Sequence, residues 1–156
     1  MRIRSVATVA LVCAVAFAQN AFAQNPVGVW KMNPAKSKFS GAAPKSTTFT
    51  TTAASEGSFK LVTDTVPATG AATHSEVTYM FDGKDHPVKG DPNTDTLSAT
   101  KGADANHWTV VRKKGGKVTI TVQVAMAADG KSYTSTTTGI DALGNKVNNT
   151  IWYDKQ

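Results

Sequence analysis

Three histidines, one arginine beyond the first few residues and one spaced acidic loop are the side chains in this 156-residue chain whose types could do chemistry. His74, His86 and His107 fall on separate segments, without the H-x-H or H-E-x-x-H spacing that sets two imidazoles on one metal. His86 has Asp85 beside it and Asp82 four residues earlier, the kind of pairing that orients a general base. It is the only place where an enzymatic reading has a residue to stand on. G-x-S-x-G, a phosphate loop and paired catalytic glutamates are missing, Glu56 and Glu76 being the only glutamates. Asp91-Pro92-Asn93-Thr94-Asp95 spaces its oxygen ligands as a calcium loop does, but such a loop continues with glycine and then glutamate where this chain has Thr96 and Gly102. That segment reads as a turn. No catalytic residue, metal site or cofactor is assigned.

Arg112 lies four residues beyond Trp108, so on a strand it shares a face with Trp108 and Val110. Facing inward, its guanidinium could grip a carboxylate by two hydrogen bonds or stack on an indole. The favoured reading is plainer: Arg112-Lys113-Lys114 opens a solvated hairpin end, where charges normally sit. The other lysines are scattered without interleaved aromatics, so the net charge of +6 leaves no nucleic-acid footprint. Lys113, Lys114 and Lys117 could touch an anionic envelope surface, but a solvated hairpin is the favoured reading.

Residues 1–23 read as a secretory signal. Arg2 and Arg4 precede an apolar run from Val6 to Ala18, and Ala21-Phe22-Ala23 supplies a small-x-small cleavage site. The run is shorter than the roughly 20 residues of a spanning helix, and no later segment is apolar enough to span. The mature chain, residues 24–156, is therefore expected in the periplasm or outside the cell as a single domain. Cys13, the only cysteine, leaves with the leader, which removes disulfides, thiol catalysis and Cys-ligated zinc.

The elements that must position these residues are strands. Thr and Val are frequent, and Glu56-Gly57, Asp82-Gly83, Gly115-Gly116 and Asp129-Gly130 mark tight turns between strand-forming runs. The turn rules delimit about ten strands, near 28–32, 46–53, 58–66, 73–81, 84–88, 96–101, 107–113, 117–127, 132–140 and 146–153. A short helical turn is expected near 34–38. Ile120, Val122, Val124 and Met126 share one face of their strand, and Val77, Tyr79 and Phe81 share one face of theirs. Short connections make sequence neighbours antiparallel. An all-β, up-and-down meander of about 8–10 strands with one apolar face each buries that face by closing into a barrel.

Gly28-Val29-Trp30 on the first strand of such a meander resembles the lipocalin and calycin barrels. The run from Gly28 to Phe39, Phe81-Asp82-Gly83-Lys84-Asp85, Gly90-Asp91-Pro92-Asn93 and the closing Asn148 to Lys155 are similar to small exported bacterial lipocalin-like proteins of unassigned function. The resemblance implies that Trp30 plugs the closed end of the barrel, often with a basic side chain laid across it. It also implies a non-enzymatic protein that holds a small apolar or amphipathic molecule. The pocket wall would come from Tyr79, Phe81, Trp108, Ile120, Val122 and Val124, with Arg112 if it faces inward. The connections at 67–70 and 102–106 are expected at the mouth. Trp152 is expected as a core or rim aromatic. Two other readings stand beside this one: a packed structural or protein-interacting barrel, and an enzyme centred on His86.

Overall fold

A computed structural model describes residues 25–156, and the leader expected over residues 1–23 lies outside the described residues. Ten strands follow one another: β1 (Gly28–Lys38), β2 (Ser46–Ala53), β3 (Phe59–Val66), β4 (Thr73–Tyr79), β5 (His86–Lys89), β6 (Thr96–Lys101), β7 (His107–Lys114), β8 (Lys117–Met126), β9 (Ser132–Ile140) and β10 (Lys146–Lys155). Each pairs antiparallel with the next, and β1 pairs with β10, so the meander closes into a barrel. Closure leaves no unpaired sheet edge on a chain rich in Thr and Val.

Alternation decides which side chains enter. Val122 of β8 pairs with Val110 of β7 and Thr137 of β9, and Tyr153 of β10 pairs with Met32 of β1 and Tyr133 of β9. These residues point inward, and their neighbours point to solvent. Two apolar clusters pack the interior, one around Trp30, Trp108, Tyr133 and Tyr153 and one around Val77, Tyr79, Leu97 and Ala99. The outer face carries polar pairs such as Lys60 with Glu76 at 3.0 Å and His74 with Asp64 at 2.7 Å. Among the described residues, no helix is long and apolar enough to cross a membrane.

Two local expectations are corrected. The helical turn near 34–38 is not formed, because β1 runs on to Lys38. Asn33 pairs with Trp152 and Lys38 with Thr150, so the residues between them bulge out of register. Pro34 has no N–H for the ladder, and side chains bridge the gap. Ser37 Oγ donates to the Asn33 carbonyl and accepts the Trp152 N–H, while Asn33 Oδ1 accepts the Lys36 N–H. Trp152 is neither core nor rim. It lies on the outer face of β10, with Lys36 Nζ 4.8 Å from its ring and its Nε1 donating to Asp154.

Candidate ligand cavity

Trp30 forms the floor. Its side chain is 1% exposed, its Nε1 donates to the Pro26 carbonyl at 2.8 Å, and Lys155 Nζ lies 5.1 Å from the ring on the same strand pair. Gly28 is what lets Lys155 lie there. Its φ is +144°, and a Cβ at that position would fall 2.7 Å from Lys155 Cε. Tyr133 meets Trp30 edge-on at 5.0 Å and stacks on Tyr153 at 4.7 Å. Large rings therefore close this end of the barrel by contact with one another.

Above the floor is a cavity of about 330 Å³, at the lower end of the range for small-molecule sites, about 300–1,000 Å³. Its walls differ in chemistry. Strands β7 and β8 present Trp108, Val110, Ile120, Val122 and Val124; strands β2, β3 and β9 present Thr47, Thr51, Thr63, Thr65, Ser135 and Thr137. The apolar side chains offer dispersion contact, and the hydroxyls of β2, β3 and β9, set among Phe49, Leu61 and Tyr133, can donate or accept. Tyr153 keeps its hydroxyl hydrogen-bonded to Ser135. Burial pushes the Tyr79, Tyr133 and Tyr153 phenols well above their ordinary value, so they stay protonated.

Among the described residues Arg112 is the one charged residue lining this space, and no Asp or Glu lines it. Among the described residues its guanidinium has no ion pair. It also lines a smaller cleft of about 130 Å³ that runs beneath Asp91 and Thr94 and shares Leu61, Thr63, Thr65 and Leu97 with the main cavity. The solvated-hairpin reading of Arg112 is therefore corrected, and the basic run divides. Arg112 faces in beside Leu97 and Ile120, while Lys113 turns to Asp85 at 2.8 Å and Lys114 to Asp95 at 2.7 Å.

Of the other residues expected in a pocket wall, Tyr79, Trp108, Ile120, Val122 and Val124 line the cavity. Phe81 does not. It follows the end of β4 and meets Tyr79 edge-on at 5.7 Å and Trp108 at 6.2 Å, behind the lining. The two expected mouth connections lie at opposite ends. Residues 102–106 join β6 to β7 at the Trp30 end, and residues 67–70 lie between β3 and β4 at the far end. The hydroxyl wall has no counterpart in the sequence reading, because runs such as Ser46-Thr47-Thr48 carry no apolar alternation. Phe49 and Tyr133 could have set the parity of those strands.

His86 lies outside the cavity lining. Its Nε2 is 3.0 Å from Asp82 Oδ1 and 3.4 Å from the Met80 backbone nitrogen, and its hydrogen bond holds the Asp82 carboxyl below the usual carboxylate value. These contacts fasten the β4–β5 connection. His74 and His107 are likewise held by Asp64 and Asp104. In the segment that resembled a calcium loop, Asp91 accepts the Asn93 N–H and Asp95 accepts from Lys114 and Gly115, as turn carboxylates do. Among the described residues no group of three His, Cys, Asp or Glu side chains could hold a metal ion. No family model, curated protein or solved structure matches the chain.

Proposed function

We propose that this chain is an exported, lipocalin-like carrier of a small amphipathic anion. The observation that carries the reading is Arg112, a cation aimed into a largely apolar cavity without a carboxylate in its lining. An arginine there is matched by a ligand that brings its own negative charge, a carboxylate above all, which the planar guanidinium can take with two hydrogen bonds. The ligand's apolar part would lie along Val110, Val122 and Val124 towards the Trp30 floor. Membership of the lipocalin-like group draws support from Gly28, Trp30 and Lys155, which arrange the floor as that resemblance implies. A wholly packed barrel has less support, since about 330 Å³ of the interior is space.

The test is uptake of an uncharged apolar fluorescent probe and its displacement by a medium-chain fatty acid and by the matching alcohol. Both ligands should displace the probe, the acid more tightly. Arg112→Met should weaken the acid by about 10–100-fold, the value of one charge-assisted contact, and leave the alcohol unchanged. A barrel that takes up neither probe nor acid would sink the carrier reading. Equal losses for acid and alcohol would sink the role of Arg112.

A further inference from the structure

The end of the barrel away from Trp30 is built differently from its floor. The three most exposed large apolar side chains of the described residues gather there: Val118 at 59%, Ile140 at 60% and Leu143 at 78%. They are close in the fold. Ile120 of β8 pairs with Gly139 of β9; Ile140 is one residue further out on β9 and Val118 two further out on β8, Thr119 being taken up by the β7–β8 register shift, and Leu143 sits on the turn after β9. Apolar groups this exposed, side by side and rimmed by charge, mark a contact surface.

Positive charge predominates around them, with Asp141 the carboxylate on the same turn as Leu143. Lys117 precedes Val118, and Lys146 is the cross-strand partner of Ile140. Among the described residues neither has an ion-pair partner, nor does the side chain of Lys45 on the same end. The nearby carboxylates accept hydrogen bonds, Asp141 within its own turn from the backbone of Leu143 and Asn145, and Asp95 from Lys114 and Gly115 of the β7–β8 hairpin. At the floor end Glu56, Asp82, Asp85, Asp104, Asp129 and Asp154 stand against Lys84, Lys101, Lys131 and Lys155. The barrel is thus polarised, positive at the end with the apolar tip.

We propose that this end docks on anionic phospholipid membranes, with Val118, Ile140 and Leu143 entering the headgroup boundary and Lys117 and Lys146 meeting lipid phosphates. A tip of this kind combines shallow apolar insertion with attraction to negative lipid, and neither alone gives stable binding. The polarity of the whole molecule would turn this end towards such a surface before contact. The same end contains Arg112, so a docked barrel would turn the cation of its cavity lining towards the membrane. The docking stands without a bound ligand.

The test uses residues 25–156, whose strands close on one another without the preceding segment, and asks whether they co-sediment with vesicles. Vesicles of phosphatidylglycerol with phosphatidylethanolamine should bind the barrel, and vesicles of phosphatidylcholine should not. Lys117→Glu with Lys146→Glu should weaken binding by at least about twentyfold, since each lysine near an anionic surface is worth roughly fivefold. Leu143→Ser should weaken it severalfold with the charge intact. Lys84→Glu with Lys131→Glu, equal in charge but at the floor end, should change it by less than about twofold. All these positions are exposed, and a retained far-UV spectrum shows that each variant folds. Absence of binding to the anionic vesicles, or equal losses for the two charge reversals, overturns the proposal. So does a tip that binds no vesicle but captures a protein sensitive to the same substitutions. Vesicle binding by the empty barrel separates this result from any failure of ligand uptake.

Discussion

Arg112 and Trp30 are opposite solutions to the interior of one small barrel. Trp30 is wholly buried and satisfied, with its N–H on Pro26 and its ring face covered by Lys155. A group of that size cannot be removed without leaving a hole that the surrounding strands cannot close. Arg112 is only half-buried, its guanidinium forms no ion pair among the described residues, and Asp91 lines the smaller cleft that it shares. A charge of this kind costs free energy in the apo state, and replacing it with an apolar group of similar length is often neutral or stabilising. Two outcomes of opposite sign follow in thermal or denaturant unfolding. Trp30→Ala should destabilise by about 3–5 kcal/mol, whereas Arg112→Met should leave the empty barrel equally stable or up to about 1 kcal/mol more stable. A marked destabilisation by Arg112→Met would mean that the guanidinium is a structural member of the barrel. Its place as a ligand contact would then be lost.

The strands were legible from residue order because each carries a two-residue period ended by a turn residue, and β8, with Ile120, Val122 and Val124 inward, is the clearest case. Backbone conformation is subtler, and two positions make opposite predictions. Glu56, in the short 3-10 turn Ser55–Gly57, holds φ at 55° and is the only non-glycine with positive φ among the described residues. An L side chain in that region costs roughly 1 kcal/mol that glycine does not, so Glu56→Gly should raise stability by a good part of that amount. Gly139 is the reverse. Its φ is +144°, and a Cβ would lie 2.1 Å from the Thr119 carbonyl oxygen. Gly139→Ala should therefore destabilise by about 2 kcal/mol or more, and a neutral result would mean that β8 and β9 can slide apart at little cost. What residue order did not carry is equally physical. Pro34 looked like the start of a turn because its missing N–H ends most strands, yet Asn33 and Ser37 supply side-chain bonds that let β1 continue. Arg112 was ambiguous because alternation places it on the face of Val110 without saying how far the barrel extends beyond it. The hydroxyl wall was invisible for a different reason: threonine satisfies a strand on either face.

At the scale of the molecule, the barrel has placed all three of its tyrosines inside, Tyr79 at 4%, Tyr133 at 8% and Tyr153 at 3% exposure. Burial raises each phenol above the ordinary value of 10.0, and Arg112 pulls the other way on Tyr133 and Tyr153 without reversing the shift. For an acid whose folded value is raised, the unfolded chain loses its proton first. Above pH 10 the unfolded state therefore binds fewer protons than the folded one, and stability falls as pH rises. Each tyrosine contributes about 1.4 kcal/mol per pH unit, so three together remove roughly 4 kcal/mol per unit. Against a total of about 5–15 kcal/mol for a domain, this brings unfolding within a few units of pH 10. Tyrosinate absorbance should accordingly appear in one cooperative step that coincides with loss of the β-sheet signal. A gradual titration near pH 10 with the sheet intact would show that water reaches these hydroxyls, and that the aromatic floor is not closed. An anion bound at Arg112 sharpens the expectation. It stabilises the folded barrel by mass action and screens the one cation that favours tyrosinate, so it should move the alkaline midpoint upward. In Arg112→Met the same anion should shift it much less, tying the ligand, the arginine and the closure of the barrel to one observable.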